Sequence, residues 1–242
     1  MATVSGEEFP GTGSKPSIVD DFMYGSNVAQ SHVYIRLGFL RKVYGILTAQ
    51  LLLTTLVGTI FILTPAVREF VQSNQWLLML SLFASMGLVI AMYVKRMETP
   101  INYILLLVFT LVESYVVGTI VTFYDQMMVL QAFGLTFAVV AGLTVYTLQS
   151  KRDLTSWGAG LFSVLWILIL AGFMQFFLQS DVLELLLSAG GAIVFSLFIV
   201  YDLSMLMHKL SPEEYIIAAI NLYLDIINLF LYILRLLNAV KK

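Results

Sequence analysis

The sequence predicts an all-α polytopic membrane bundle of six or seven spanning helices, and three observations predict it. Hydrophobic residues fill 60% of 242 positions, charged residues fill 12%, and mean hydropathy is +0.91. Soluble domains run to about 45–50% apolar and about 25% charged, so a soluble fold of this size would lack the charge to cover its surface. Apolar runs of about 20 residues, enough to cross the hydrocarbon, recur along the chain. The breaks between them are short and polar.

Residues 1–35 are polar and irregular, with Gly11-Thr12-Gly13-Ser14 and Lys15-Pro16-Ser17 opposing any helix. They predict a disordered cytosolic tail, and no apolar core follows a basic start as a signal peptide requires. The first apolar run is then the membrane-targeting signal, and 36–242 form one transmembrane bundle. The expected spans are 40–63, 76–94, 101–123, 128–148, 157–178, 183–207 and 215–237. Their breaks hold Thr64-Pro65, Glu98-Thr99-Pro100, Tyr124-Asp125, Lys151-Arg152-Asp153, Gln179-Ser180-Asp181 and Lys209-Leu210-Ser211-Pro212. Such short connections predict that consecutive helices are antiparallel neighbours.

Basic flanks set the orientation. Arg36, Arg41, Lys42, Lys95, Arg96, Lys151, Arg152 and Lys209 fall on one side, against Arg68 alone on the other, which predicts a cytosolic amino terminus. Arg235, Lys241 and Lys242 at the end of the last element resist this pattern if that element crosses fully. A re-entrant last helix would return them to the cytosol, so the sequence leaves six and seven crossings both open. Trp76, Trp157 and Tyr215 stand at span ends, as interfacial anchors do.

Composition excludes several functions. A net charge of −2 argues against a nucleic-acid binder that depends on a basic field. With no cysteine, and only His32 and His208 as imidazoles, thiolate chemistry is excluded and a transition-metal cage disfavoured. No HExxH or GxSxG is present, and Tyr201-Asp202 lacks the GxGD partner of an intramembrane aspartyl protease, so no enzyme is predicted.

Ionisable groups inside spans are costly and therefore informative. Asn221, Asp225, Asn228, Tyr232 and Arg235 follow spacings of 4, 3, 4 and 3, which places them on one helical stripe. Such a stripe suits a polar seam between helices, but Asp225, about 15 Å along the axis, needs a cation, a proton or a partner. Ser211-Pro212-Glu213-Glu214 reads as a capping box, giving Glu213 and Glu214 a structural role. Asp202 lies near the cytosolic end of the sixth span, and a short turn brings that span against the seventh, where Gly190, Gly191 and Ala192 permit close approach. Asp202 and Asp225 thus share one low-dielectric site, where two carboxylates cannot both be charged cheaply. Such a pair can bind a hard cation through oxygen or switch with protons. Glu113, a dozen residues into the third span, is either a pore acid or a structural one. Arg96, at the cytosolic end of the second span, has snorkelling as its default role.

The run Gly191-Ala192-Ile193-Val194-Phe195-Ser196-Leu197-Phe198-Ile199-Val200-Tyr201-Asp202, with Asn221-Leu222-Tyr223-Leu224-Asp225-Ile226-Ile227-Asn228-Leu229-Phe230, resembles the Bax-inhibitor (lifeguard) membrane family. Arg36-Leu37-Gly38-Phe39-Leu40-Arg41-Lys42-Val43-Tyr44 resembles the motif that opens its eukaryotic branch. The likeness runs from about residue 30 to the end, and the short tail is most similar to the Golgi anti-apoptotic lifeguard branch. The resemblance implies a pH-sensitive calcium leak channel of Golgi or endoplasmic reticulum membranes that restrains cell death. It matches Asp202 and Asp225 to a pH-sensing, cation-binding pair, and Arg96 to a closed-state latch, although Val94-Lys95-Arg96-Met97-Glu98 is less basic than in bacterial relatives. Modest cytosolic acidification would then raise the leak by weakening the hold of Arg96 on a carboxylate. Expected partners are lipids, calcium ions, protons and membrane proteins of cell-death or calcium-release pathways, with calcium as permeant or transient ion and no other cofactor. The alternative is a non-conducting interaction protein that regulates apoptosis through its partners.

Overall fold

The computed structural model describes residues 33–150 and 152–241. The expected tail therefore lies outside the described residues except at 33–35, which are already helical. Lys151, Lys242 and the side chain of Arg36, all used in counting charge, also lie outside them. Among the described residues the helices are α1 (Val33–Leu63), α2 (Pro65–Ser73), α3 (Gln75–Val94), α4 (Ile101–Val121), α5 (Gln126–Gln149), α6 (Gly158–Leu178), α7 (Asp181–His208) and α8 (Tyr215–Lys241). Seven of them, all but α2, are long and apolar enough to cross a membrane. Helices suit this sequence because each satisfies its own backbone groups where no water can.

Local chemistry sets the ends. Pro65 occupies the first turn of α2, where its missing N–H costs nothing. Asp125 caps α5 by accepting the Met127 N–H at 3.0 Å, and Ser180 caps α7 by accepting the Leu183 N–H at 3.4 Å. Gln179 ends α6 in the left-handed region at φ 46°. Between α5 and α6, hydrogen bonds from Thr155 hold the Asp153 carboxyl below its usual pKa and close a short 3-10 turn. The break expected at Thr64-Pro65 holds α2, which sends Arg68 and Gln72 to the Thr122 carbonyl at 2.9 and 2.8 Å. These side chains satisfy an orphan acceptor at the end of α4.

Consecutive helices are not neighbours throughout, contrary to expectation. Helix α1 packs on α4 and α8 rather than on α3, and α5 packs on α7 and α8 rather than on α4 or α6. Only α3–α4, α6–α7 and above all α7–α8 pair in sequence among the spanning helices. Short loops fix which ends meet, but polarity decides which helix is enclosed. In α8 and α4, 67% and 56% of the most apolar window is buried within the protein, against 6% in α6. Helix α4 carries Asn102, Thr110, Glu113, Ser114 and Thr119, all buried, whereas α6 is almost free of polar groups and tolerates lipid all round. Helix α1 turns one stripe inward, with Phe39, Val43, Leu47, Gln50 and Thr54 buried at helical spacing. Its polar members close a buried layer: the Gln50 amide donates to the Thr110 hydroxyl at 3.1 Å, and the Thr54 hydroxyl meets those of Ser114 at 3.0 Å and Tyr223 at 2.8 Å.

Contacts at its two ends show that α8 crosses the whole bundle. At its start, Lys42 lies 4.9 Å over the Tyr215 ring and Arg96 is 3.8 Å from Glu214. At its other end Arg235 binds Glu184, in the first turn of α7. Helix α8 therefore runs back along the full length of α7, as a seventh crossing requires. The ion pair accounts for the Arg235 part of the charge anomaly, since Arg235 sits opposite the basic end with its charge neutralised. Trp76 and Trp157 are exposed at span ends as anchors, but Tyr215 is half-buried and accepts from the Tyr103 hydroxyl at 2.9 Å.

Candidate functional site

The site is built where α7 and α8 return against each other. The connection closes tightly: Glu214 accepts the Ser211 N–H through its side chain at 3.1 Å, while its own N–H bonds the Ser211 carbonyl at 3.0 Å. This is half of the expected capping box. The regular helix begins at Tyr215, so Ser211–Glu214 form a turn ahead of it rather than its first turn.

Gly191 lets the two helices approach. A Cβ there would collide with the ring of Tyr232, whereas one at Gly190 would meet only Leu168 of α6 at an ordinary 3.8 Å. Phe195 stacks on Tyr232 with centroids 5.5 Å apart and planes at 24°. Phe195 and Tyr232 lie two turns from Asp202 and Asp225, seven residues back on α7 and seven on along α8. An antiparallel pair at this pitch must bring the two aspartates level, and their carboxyl groups are close enough to act on each other. Asp225 is 8% exposed, and its Oδ2 is buried with no donor. A cavity of about 90 Å³ opens beside them towards the basic end, lined by Tyr201, Asp202, Met205, Leu210, Ala218 and Asn221. It is polar at one wall and roomy enough for water.

The stripe on α8 divides into two parts. Asn221 borders the cavity and accepts from the Tyr93 hydroxyl at 3.0 Å, and Asp225 belongs to the pair. Asn228 donates to the Leu224 carbonyl of its own helix at 2.8 Å, and Tyr232 and Arg235 pack on α7, so this half is a seam. Glu113 is not brought to the aspartates: it is buried towards α3, where the Ser85 hydroxyl donates to it at 2.7 Å. Arg96 makes no ion pair with Asp202 or Asp225 among the described residues. Its carboxylate partner is Glu214, and the Asn102 amide holds its backbone carbonyl at 3.1 Å. The expected acidification step, which placed Arg96 on the aspartates, has no such contact here.

Among the described residues no group of three or more His, Asp or Glu side chains gathers as a metal cage. A cation at the pair would have the two carboxylates, the Asn221 amide oxygen and water, fewer protein ligands than the six to eight oxygens calcium prefers. This chemistry favours weak, exchangeable binding.

Sequence reasoning missed four contributors: Ser85, Glu184, Glu214 as a charge partner, and the Thr54–Ser114–Tyr223 hydroxyl layer. Glu184 carried a usable signal, because an acid three residues into a span opposite a hairpin arginine has a ready partner. The hydroxyls carried none, since serine and threonine satisfy themselves within any helix.

Residues 36–242 match the protein family described as "Inhibitor of apoptosis-promoting Bax1". The chain is 54% identical to "Protein lifeguard 4" of Mus musculus over 228 residues, covering 94% of this chain and 96% of that one. It is 53% identical to "Golgi anti-apoptotic protein" of Vaccinia virus (strain Lister) over 233 residues, covering 96% and 98%. "Bax inhibitor 1" of Schizosaccharomyces pombe is 39% identical over 236 residues, covering 97% and 89%.

Proposed function

Because this chain belongs to the Bax-inhibitor (lifeguard) family of multi-pass membrane proteins, we propose that it is a pH-sensitive calcium leak of intracellular membranes that restrains cell death. The observation that carries this is the Asp202–Asp225 pair, placed between the helices α7 and α8 that pack most extensively on each other, with Asp202 lining a cavity beside it. A buried carboxylate with a free oxygen lacks the hydration it had in water, and only a cation, a proton or a donor replaces it. A divalent ion shed of part of its hydration shell meets there two carboxylates and an amide oxygen. Protons compete for the same oxygens, which couples conduction to pH. The basic end faces the cytosol by the asymmetry of Lys and Arg, so the cavity is the cytosolic mouth. A relative named for the Golgi supports Golgi membranes as the site of action, with the endoplasmic reticulum as the other endomembrane.

The relatives' names speak of apoptosis and not of transport, which keeps a second function in view: regulation of cell death through membrane partners without conduction. Calcium efflux from liposomes holding the purified protein separates the two. A leak above that of empty vesicles, reduced by Asp225→Asn, supports conduction through the pair. Efflux no faster than from empty vesicles assigns the chain to the second function.

A further inference from the structure

We propose that α2 is an amphipathic anchor lying in the membrane interface at the end away from the basic side, and that its partner is the lipid surface of that leaflet. Its nine residues reach about 14 Å, too short to cross a bilayer that takes about 20 residues. Helix α1 arrives there from the basic end, where Lys42 meets Tyr215, and α3 leaves from there towards Arg96. The helix between them therefore runs along the boundary. Its sequence has two faces. Ala66, Val67, Phe70 and Val71 fall at spacings of 1, 3 and 1, and Arg68, Glu69, Gln72 and Ser73 repeat those spacings on the opposite side.

Contacts within the protein account for half of this pattern. Val71 is buried against the bundle, and Arg68 and Gln72 donate to the Thr122 carbonyl at the end of α4. What remains is Phe70, 54% exposed beside an exposed Ala66 on the apolar face, with Glu69 and Ser73 exposed on the polar face. Water suits the second pair and not the first. The exposed apolar flank is continuous with the lipid-facing surface of the spanning helices. Ile60 and Leu63 lead into it from α1, and Trp76 and Met79 lead out of it along α3, all four exposed. Trp76, whose ring favours the headgroup level, marks the height at which that surface meets water. Phe70 then enters the acyl boundary while Glu69 and Ser73 face the aqueous side, as in an interfacial helix. The bonds to Thr122 tie the end of α4 to that same level.

The chain has no cysteine, so a single cysteine carries a spin label to one chosen site. Full-length Ala66→Cys, Glu69→Cys, Phe70→Cys, Ser73→Cys and Phe83→Cys are labelled and reconstituted into phosphatidylcholine liposomes. All five replaced side chains are exposed, and Phe83, about two turns into α3, is the lipid reference. Power saturation with oxygen, and with a water-soluble nickel chelate on both faces of the bilayer, reads the depth of each label. Labels at 66 and 70 are expected about 5–10 Å below the phosphates, and those at 69 and 73 at or above the phosphates. Phe70→Trp, in a chain with Trp76, Trp157 and Trp166 replaced by Phe, gives a reading without a label. Lipid brominated near the headgroup end of its acyl chains should quench this tryptophan more than lipid brominated near the chain ends. A label at 70 as open to nickel as one at 69, or a tryptophan that neither lipid quenches, overturns the anchor by placing α2 in water. A label at 69 as open to oxygen as one at 83 overturns it by placing α2 in the bilayer core. None of these outcomes bears on conduction.

Discussion

Replacing Arg235 by Met removes the cation from the Glu184–Arg235 pair while keeping an unbranched side chain over Tyr232. The pair makes two hydrogen bonds, at 2.9 and 2.7 Å, with side chains 33% and 23% exposed. Fully exposed pairs contribute about 0.2–1 kcal/mol, and removing one partner of a fully buried pair costs about 3–5 kcal/mol. Partial exposure and bidentate geometry place this pair between those limits, at about 2 kcal/mol. For a chain of this length that corresponds to a fall in Tm of roughly 4–8 °C. Glu184→Gln with Arg235→Met should recover at least half of the loss, because no uncompensated carboxylate then remains. The assay is thermal unfolding of the four members of the cycle in one detergent, followed by circular dichroism. A coupling energy indistinguishable from zero would refute the claim that this pair fastens α7 to α8 at the end away from the aspartates.

Gly191→Ala should destabilise by about 1–3 kcal/mol through its clash with Tyr232; Gly190→Ala should be neutral or stabilising by up to about 1 kcal/mol from helix propensity, and equal melting of the two variants would contradict the close approach. Glu113→Gln preserves the bond from Ser85 and removes the charge, so normal folding with slower calcium efflux is expected; unchanged efflux would leave Glu113 as part of the α3–α4 seam alone. Tags at residue 5 and in the loop at 151–153 should be digested by protease added to sealed microsomes, and protection of both until detergent is added would reverse the orientation.

The apolar helices were legible because lipid demands long uninterrupted apolar runs, although the basic residues at the end of the last one left six and seven crossings both open. The aspartate pair was legible too, since a short turn returns the last span against the one before it and small residues let the two approach. The order of packing was not legible. It follows from which helices carry polar groups that require shielding, and α4 hides its own among residues such as Thr110 and Ser114 that look innocuous singly. Arg96 was read correctly as a basic end group, but its partner escaped notice because Glu214 already had a sufficient explanation as a cap. One carboxylate has two oxygens, and here they serve two purposes. Glu113 was left open between a pore acid and a structural one, and its bond from Ser85 of α3 fits the structural alternative.

Calcium efflux from proteoliposomes across a pH series, for wild type, Asp202→Asn and Asp225→Asn, tests conduction through the pair most directly. Wild-type efflux is expected to depend on pH, declining as protons compete with calcium for the oxygens of the pair. Asp225→Asn, which removes the more deeply buried oxygen ligand, should lower the rate about tenfold or more, and Asp202→Asn should chiefly change the shape of the profile. Three proteins with the same rate and the same profile would contradict conduction through the pair.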